Sequence, residues 1–519
     1  MKRGIIFLTL IICTFCINIC QAQNDFVERY KAFNKDAQQK YSNFRDECNK
    51  KYAEFIKEAW VKFKALPPKP APKDEKPAPP VNYEPEKEKE EPQNENAQQD
   101  KHIEETPPLE QENEEQSNQG QCDKELPVVE VIPQIEPKAQ PKPVAPIEEE
   151  PTSEPEEGYK FSFYGTDAKV RIGERQRFSL PDSNNNRIAE AWNFCSDNYN
   201  NVIRDCLLLR HKHNLCDWAY LQMIKELSYS FFGKQSNEAA LMTAFIYCQS
   251  GYKIKLASHN NRLYFMVGSN HIIYEKSYFR VDNTYYFPID CDAPELAICP
   301  ANYPKEQELS LWIQKEPKLN IVTSQERELV SGRYPETALK VSVNKNMLDF
   351  YTTYPTSEVN DNPVSRWAIY ADTPLNEEVK KQMYPALAKS IEGKELLEQV
   401  NILLNFVQTA FVYDYDDKIW GYDRCFFAEE TLFYPYCDCE DRSVLFSRLV
   451  RDLVGLQVVL VYYPNHLATA VCFGNESKGD YLTVGGKPFT ICDPTYIGAP
   501  VGRSMPNLRD AETMVYPLN

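Results

Sequence analysis

The chain has 519 residues, of which 42% are hydrophobic and 26% are charged, and its formal net charge is −18. Residues 66–157 contain 25 acidic and 9 basic residues, so this one segment carries most of the excess negative charge. The remainder is nearly neutral and shows no basic patch, which argues against a nucleic-acid partner.

The first 22 residues have the order of a cleaved export signal. Lys2 and Arg3 precede an apolar run from residue 5 to residue 19, and small residues follow at the cleavage point. A retained anchor is the alternative, but the run is short for a membrane span, and no later segment approaches the roughly 20 apolar residues required. We therefore expect a signal peptide over residues 1–22, a periplasmic or secreted protein, and no transmembrane span.

The cysteine count bears on the redox state of the exported chain. Three of the 16 cysteines lie in the signal segment, which leaves an odd number in the mature protein. Cysteines of exported proteins usually pair, so at least one thiol is expected to stay free or to pair between molecules.

Residues 23–65 carry aromatic side chains at three- and four-residue steps, which predicts an amphipathic helix. The aromatic residues are Phe26, Tyr30, Phe33, Tyr41, Phe44, Tyr52 and Phe55. Two alternatives fit this stripe. It contacts a partner, such as a second copy or the cell envelope, or it packs on the protein's own body.

Residues 66–157 are rich in Pro and Glu and contain almost no aromatic residues. Such a segment buries too little apolar surface to fold, and its prolines and repelling carboxylates keep it extended. We therefore predict a disordered acidic linker over residues 66–157.

From residue 158 onward the composition is globular, and the order of helices and alternating strands predicts an α+β fold. An internal repeat supports this. The stretch SNEAALMTAFIYCQSGYKIKLA (236–257) passes from a helix through Gly251 into a strand, as CEDRSVLFSRLVRDLVGLQVVLV (439–461) does. The first copy continues with RLYFMV and YYFPID where the second continues with HLATAV and FTICD. One fold used twice is the prediction, and chance similarity of two helix–strand units is the alternative.

The two copies differ where chemistry is expected. The second copy has Cys439 and His466, whereas the first has Gln235 or Ser236 and Arg262 at these places. We expect a degenerate domain over residues 158–305, a β-rich connecting region over 306–370, and an intact domain over 371–519.

The second copy contains a thiol, an imidazole and a carboxylate in a suggestive order. Cys439 opens a predicted helix, whose free amide groups and dipole favour a thiolate. His466 is the only histidine after it and begins a strand on which Ala468 and Ala470 would leave room for the helix. Asp493 ends the next strand before Pro494. A nucleophile, its base and an orienting group are what acyl transfer by a thiol requires.

These residues lead to a family. The string DCEDRSVLFSRLVRDLVGLQVVLV, followed by NHLATAV and CDPT, resembles the transglutaminase-like core of the papain-like superfamily over roughly residues 395–500. The resemblance implies a helix packed on an antiparallel sheet and assigns the triad positions to Cys439, His466 and Asp493. It implies a peptidase, an amidase or a protein-glutamine transferase that needs no cofactor.

The expected reaction is attack of the Cys439 thiolate on an amide carbonyl of a protein or peptide. The backbone N–H of Cys439 is one candidate donor to the oxyanion, and the Gln408 side chain is a weaker one. A non-catalytic binding or scaffold protein that uses both copies for recognition is the alternative.

Two groups of residues raise the question of a metal. Asp414, Asp416, Asp417 and Asp423 lack the Gly and the closing Glu of a calcium loop, so we expect a solvated acidic loop. His211 and His213, with their neighbouring cysteines, do not have the spacing of zinc fingers. No metal site is predicted.

Overall fold

The computed structural model describes residues 29–71 without 34, 37, 38 and 41, residues 80–84, residues 124–143 without 137, residue 155, and residues 157–519. The predicted signal peptide and most of the predicted linker lie outside these residues. The described residues form two compact units. The first is drawn from Met1–Lys73, Ile135–Gln325 and Ser342–Asn376, and the second from Asp74–Gln134, Glu326–Val341 and Glu377–Asn519.

The strands of the described residues are numbered in chain order. They are β1 Val61–Lys64, β2 Val128–Val131, β3 Tyr159–Phe163, β4 Thr166–Val170, β5 Ile254–His259, β6 Arg262–Ser269, β7 His271–Ile273, β8 Phe279–Val281, β9 Thr284–Pro288, β10 Glu295–Ile298, β11 Arg327–Val330, β12 Ala338–Val341, β13 Ser357–Val359, β14 Val412–Tyr413, β15 Tyr436–Cys437, β16 Val458–Tyr463, β17 His466–Val471, β18 Tyr481–Val484, β19 Lys487–Cys492 and β20 Thr513–Pro517.

The helices are numbered in the same way, and short 3-10 turns lie at Glu174–Gln176 and Pro506–Leu508. They are α1, whose described residues are 29–33, 35, 36, 39, 40 and 42–57, α2 Asn185–Asn198, α3 Asn200–Lys212, α4 Asp217–Phe232, α5 Asn237–Gln249, α6 Lys345–Thr352, α7 Ser365–Asp372, α8 Glu377–Ile391, α9 Leu396–Thr409, α10 Asp416–Ile419, α11 Ala428–Phe433 and α12 Cys439–Leu453.

The first unit contains a six-stranded sheet with the order β1-β10-β5-β6-β9-β8, in which all neighbours are antiparallel. Helix α5 comes directly before β5 and packs on β6. Ser236 caps α5, because its hydroxyl oxygen accepts a hydrogen bond of 3.0 Å from the backbone N–H of Ala239. This satisfies one of the free donors of the first helical turn.

The second unit contains a six-stranded sheet with the order β18-β19-β17-β16-β20-β2. Its neighbours are antiparallel except β20 and β2, which are parallel. Helix α12 comes directly before β16 and packs on β17. Gly455 follows α12 with a φ of 74°, a left-handed conformation that glycine adopts without strain and that commonly ends a helix.

The two sheets have the same strand order when the strands are compared in chain order. Strands β5, β6, β8, β9 and β10 of the first take the places of β16, β17, β18, β19 and β20 of the second. An N-terminal strand, β1 or β2, then extends each sheet beside its last strand. The predicted α+β class is confirmed, and the sequence repeat coincides with a repeated arrangement of helix and sheet.

The prediction of a disordered linker over residues 66–157 is wrong for residues 125–132. Strand β2 pairs with β20. Leu126 and Ile132, on either side of β2, are 2% and 3% exposed. The low aromatic content hid this strand, which pairs with the open edge of the C-terminal sheet and whose flanking residues Leu126 and Ile132 are buried.

The predicted N-terminal helix is helical at all described residues from 29 to 57, and its later part packs on the protein's own body. Tyr52, Ala53 and Ile56 are buried, and the Tyr52 ring lies 4.8 Å from that of Trp192. Other members of the aromatic stripe remain exposed, including Tyr30 and Phe33. The helix ends before the predicted boundary, because residues 61–64 form β1 instead.

The predicted β-rich connecting region over 306–370 is mixed. It contains β11, β12 and β13 together with α6 and α7. Its residues are divided between the two units, so it is not a separate body. The local β signals did not reveal that these helices pack into the first unit.

Two further findings concern the chain's environment. No helix of the described residues is long and apolar enough to cross a membrane. The twelve cysteines of the described residues are all free thiols, and ten of them are buried. Cys437 and Cys439 are therefore not bridged.

Candidate active site

Cys439 is the first residue of α12 and is 3% exposed. Its thiol donates a hydrogen bond of 3.2 Å to Glu440 Oε2, and the backbone N–H of Leu467 donates one to the sulfur. The Ser443 hydroxyl, one turn later, donates a hydrogen bond of 3.0 Å to the Leu467 carbonyl. The start of α12 is thus attached to the start of β17, next to His466.

His466 and Asp493 form a buried pair. His466 is the first residue of β17, Asp493 follows β19, and these two strands are antiparallel neighbours. The His466 Nε2 atom lies 2.9 Å from Asp493 Oδ2. The other carboxylate oxygen accepts hydrogen bonds from the backbone N–H groups of Thr495 and Tyr496, at 2.8 and 3.3 Å. Asp493 is therefore held in one orientation toward the imidazole.

This pair fixes the tautomer that a neutral His466 adopts. Because a carboxylate only accepts, Nε2 carries the proton and Nδ1 carries the lone pair. His466 Nδ1 is buried and has no hydrogen-bond partner in the part of the chain that the structure describes. His466 Nδ1 is therefore the basic nitrogen, and it is available to accept a proton from a thiol.

Cys439 and His466 are not hydrogen-bonded to each other. The thiol donates to Glu440 instead, and His466 Nδ1 stays without a partner among the described residues. The expected role of the alanines is also wrong. Ala468 and Ala470 belong to a buried cluster with Val459, Val461 and Ile491, to which no described residue of α12 belongs.

The expected lowering of the Cys439 pKa is also wrong. Burial raises the pKa of this thiol well above its ordinary value, and the charges of Glu440 and Asp438 raise it further. The hydrogen bond from the Leu467 N–H opposes this only in part. The helix N-terminus favours an anion in general, but here its first turn carries carboxylates of its own.

Gln408 is not an oxyanion donor in this structure. Its side-chain N–H groups donate to the backbone carbonyls of Asp493, Tyr496 and Ala499, at 3.0, 2.8 and 3.1 Å. Its Oε1 accepts from the Gly498 N–H at 3.1 Å. Gln408 therefore positions the loop that follows Asp493, and its donors are already used.

The loop residues predicted to be solvated do not all face solvent. Asp417 is exposed, and Asp414 pairs with Lys418 at 2.6 Å. Asp416, in contrast, is 8% exposed, and burial followed by the charge of Glu440 raises its pKa to about 8. Asp416, Asp423 and Glu440 offer oxygen atoms that lie within 4.8 Å of one another. Sequence spacing missed this cluster, because Glu440 belongs to a distant helix.

Arg442 is a second residue that the sequence did not reveal. It is 1% exposed and donates to the backbone carbonyls of Gln408 and Phe411, at 3.1 and 2.9 Å. Its Nε lies 3.5 Å from Cys437 Sγ. The positive charge is thus directed at the backbone around α9 and at Cys437, and no ion pair joins it to a described acidic residue.

The corresponding place in the first copy has different groups. Gln235 and Ser236 precede α5, and the Arg262 guanidinium donates to the Gln235 carbonyl. Asp290, two residues after β9, pairs with Lys225 at 2.7 Å. These residues line a small cavity of about 20 Å³. Among the described residues that line it, there is no cysteine or histidine.

His271 of the first copy does not replace the missing base. His271 is fully buried, its Nε2 accepts from the Leu311 N–H at 3.2 Å, and its Nδ1 lies 3.3 Å from the Ser357 hydroxyl. Cys248 instead lies near Glu306, at 3.9 Å.

The assignment of the site depends on this geometry and on the short motifs around it. The resemblance to transglutaminase-like proteins comes from residues 395–500, and the pair that the structure forms is His466 with Asp493. No protein-family model, no curated protein and no solved structure matches the chain.

Proposed function

We propose that the second unit is a transglutaminase-like cysteine enzyme that transfers the acyl group of an amide in a protein or peptide. Cys439 is the nucleophile, His466 the base, and Asp493 the group that orients the base. The observation that carries this proposal is the buried His466–Asp493 pair. His466 Nδ1 has no hydrogen-bond partner among the described residues, and the Cys439 thiol contacts β17 at Leu467, the next residue.

The chemistry follows from these positions. The Cys439 thiol must leave Glu440 and pass its proton to His466 Nδ1, and the resulting thiolate attacks the amide carbonyl. His466 then returns the proton to the leaving amine, which gives a thioester. Attack of water on the thioester gives hydrolysis, and attack of an amine gives acyl transfer. Asp493 stabilises the imidazolium that forms between these steps.

In this scheme the backbone N–H of Cys439 donates a hydrogen bond to the oxyanion intermediate. It belongs to the first helical turn, whose N–H groups have no acceptor within the helix. A donor fixed at this position stabilises an oxyanion that develops on the attacked carbonyl. Gln408 has no part in this step, because its N–H groups are engaged with the loop after Asp493.

The test is a profile of peptide amide substrates, with and without an added amine, read by mass spectrometry. Cys439→Ala and His466→Ala should each abolish turnover, whereas Cys437→Ser, which changes a buried thiol two residues away, should retain it. Full turnover by Cys439→Ala would contradict the proposal. The ratio of hydrolysed to amine-bearing product separates a hydrolase from a transferase.

A binding or scaffold protein is the second candidate. The burial of the Cys439 thiol, its hydrogen bond to Glu440 and its raised pKa favour this alternative. In that case Cys439 should be no more reactive toward iodoacetamide than Cys437, and Cys439→Ala should leave peptide binding unchanged. In the enzyme, Cys439 should react first, and His466→Ala should slow its labelling.

Export to the periplasm or beyond belongs to the same proposal. It is supported by the order of basic, apolar and small residues over residues 1–22. Burial of most described thiols is compatible with an oxidising compartment, because buried cysteines are poorly accessible to oxidants. Fractionation of the native host, with detection of the mature N-terminus by mass spectrometry, tests it.

A further inference from the structure

The first unit contains a cavity of about 270 Å³ at the junction of α3 and α4. Residues 138–140 and residues 310–315 supply its other walls, and all of its lining residues belong to the first unit. None of them lines the smaller cavity beside Arg262. Its volume is near the lower end of the roughly 300–1,000 Å³ that small-molecule sites have, so it has room for a small organic ligand.

The wall formed by residues 138–140 is held by side-chain amides. Gln314 Nε2 donates a hydrogen bond of 3.0 Å to the Lys138 carbonyl. Gln140 Nε2 donates one of 2.8 Å to a backbone carbonyl of the turn between α3 and α4. The cavity is therefore formed by segments that are distant in sequence and are tied to one another.

Arg210 lines the cavity with a guanidinium group whose donors are largely unused. The group is half-buried, and its Cζ atom lies 5.1 Å from the centroid of the Tyr220 ring. It donates two long hydrogen bonds, of 3.3 Å to the Tyr252 hydroxyl and of 3.5 Å to the Pro141 carbonyl. No ion pair joins it to a carboxylate in the part of the chain that the structure describes. Because a guanidinium has five N–H donors, most of them are available to an acceptor in the cavity.

Asp217, the acidic residue among those that line the cavity, has donors of its own. It is 5% exposed, and its Oδ1 accepts a hydrogen bond of 2.7 Å from the Tyr252 hydroxyl. Its Oδ2 accepts one of 3.0 Å from the backbone N–H of Ser310. Asp217 is therefore held away from an ion pair with Arg210.

The charged side chains around the cavity leave an excess of positive charge. Lys315 is exposed and forms no ion pair with a described residue, whereas Lys138 contacts Glu308 at 3.5 Å. With histidine counted as neutral, Arg210 and Lys315 stand against the single carboxylate of Asp217, which leaves one positive charge. An excess of one charge favours a monoanion as the ligand.

Two uncharged side chains of the cavity indicate what else the ligand carries. Trp312 lines the cavity and is 7% exposed, so it offers a fixed aromatic surface to an apolar group. The Asn214 side chain also lines the cavity and has no hydrogen-bond partner among the described residues. A carboxamide both donates and accepts, which matches an amide group of a ligand.

We propose that this cavity binds a small monocarboxylate that carries an amide and an apolar side chain, as an N-acylated amino acid or the C-terminal end of a peptide does. Arg210 donates to the carboxylate, for which the planar guanidinium is the best-matched side chain. Lys315 adds positive charge, Asn214 pairs with the amide, and Trp312 contacts the apolar group. The first copy is then a binding domain, whether or not the second copy is an enzyme.

The experiment measures binding to the full chain by titration calorimetry with two matched probes, N-acetylphenylalanine and N-acetylphenylalaninamide. The probes differ only in the carboxylate. We expect one bound molecule of the acid, and an affinity for the amide that is lower by about tenfold or more, because hydrogen bonds to a charged group contribute about 1.5–3 kcal/mol. A pentapeptide that ends in phenylalanine separates the two sources of the ligand. It should bind as well as the acid if the site takes peptide ends, and more weakly if the site takes free small acids.

Variants locate the binding in the cavity. Arg210→Gln should lower the affinity for the acid by about tenfold or more and remove most of the preference for the acid over the amide. Lys315→Gln should weaken binding of the acid severalfold, and its exposed position leaves folding intact, so it decides the test if Arg210→Gln does not fold. Lys234→Gln, an exposed lysine of the same unit outside the cavity, is the control and should bind as the wild type does.

Four results would overturn the proposal. The first two are the absence of binding of the acid at millimolar concentration and equal affinity for the acid and the amide. The third is an affinity for the acid in Lys315→Gln that equals that of Lys234→Gln. The fourth is displacement of the acid by an equal concentration of inorganic phosphate, which would assign the cavity to a bare anion.

Discussion

The Gln408 side chain donates a hydrogen bond of 3.0 Å to the backbone carbonyl of Asp493. With its bonds to Tyr496, Ala499 and Gly498, it joins α9 to the loop that orients the Asp493 carboxylate. A helix outside the sheet therefore contributes to the position of the His466–Asp493 pair.

Gln408→Ala should lower both stability and turnover. The change leaves buried backbone groups of the loop unsatisfied, at about 1–3 kcal/mol for each lost partner, so we expect a loss of roughly 2–4 kcal/mol in the free energy of unfolding. Urea denaturation measures it, and Glu398→Gln, an exposed change on the same helix, should cost less than about 0.5 kcal/mol. Unchanged kcat at reduced stability would reject the positioning role.

Asp493→Asn should reduce turnover without removing it. The variant keeps the shape of the side chain but offers an N–H group where His466 donates, so it favours the wrong tautomer of the ring. We expect a loss of ~10²- to 10⁴-fold in kcat, compared with complete loss in Cys439→Ala. Initial rates on a peptide amide measure this, and wild-type rates in Asp493→Asn would remove Asp493 from the proposed triad.

Leu126→Ala and Ile132→Ala should destabilise the second unit, although both residues lie in a segment that the composition marks as a linker. Each truncation leaves a cavity beside β2 and should cost about 2–4 kcal/mol. Val129→Ala, in the same strand at a position that is 58% exposed, is the matched control and should cost much less. If thermal unfolding shows all three variants to be equivalent, β2 does not belong to the folded unit.

Glu306 should make the stability of the first unit depend on pH. Burial raises the pKa of this carboxyl from 4.5 to about 8. Because the folded pKa is the higher one, its stabilising contribution is fully present below pH 4.5 and is lost as the pH rises to about 8. Relative to Glu306→Gln, the wild type should therefore lose a few kcal/mol between these values, with a plateau above them.

Denaturant unfolding at several pH values measures this difference. Glu308→Gln, at a partly exposed position paired with Lys253, provides the comparison and should not remove the pH dependence. A wild-type curve parallel to that of Glu306→Gln would show that Glu306 titrates normally.

The local sequence pattern was sufficient to predict many helices and strands of the second unit. The stretch 439–461 predicted a helix followed by a strand, and the structure forms α12 at Cys439–Leu453 and β16 at Val458–Tyr463. The strand predicted to begin at His466 is β17. Their order along the chain also predicted that His466 and Asp493 lie on neighbouring strands, as their 2.9 Å contact requires. These features depend on residues close in sequence, where periodicity and turn chemistry act directly.

Tertiary structure decided what each side chain contacts. The Gln408 amide donors are used by the loop after Asp493. The Cys439 thiol donates to Glu440, whose carboxylate lies beside those of Asp416 and Asp423. Strand β2 forms because the last strand of the sheet has an open edge. Such contacts join residues that are distant in sequence, and burial determines their charge and their partners. Sequence alone therefore predicted the order of helix, strands and candidate triad, whereas long-range packing determined how the thiol is held and where the acidic cluster lies.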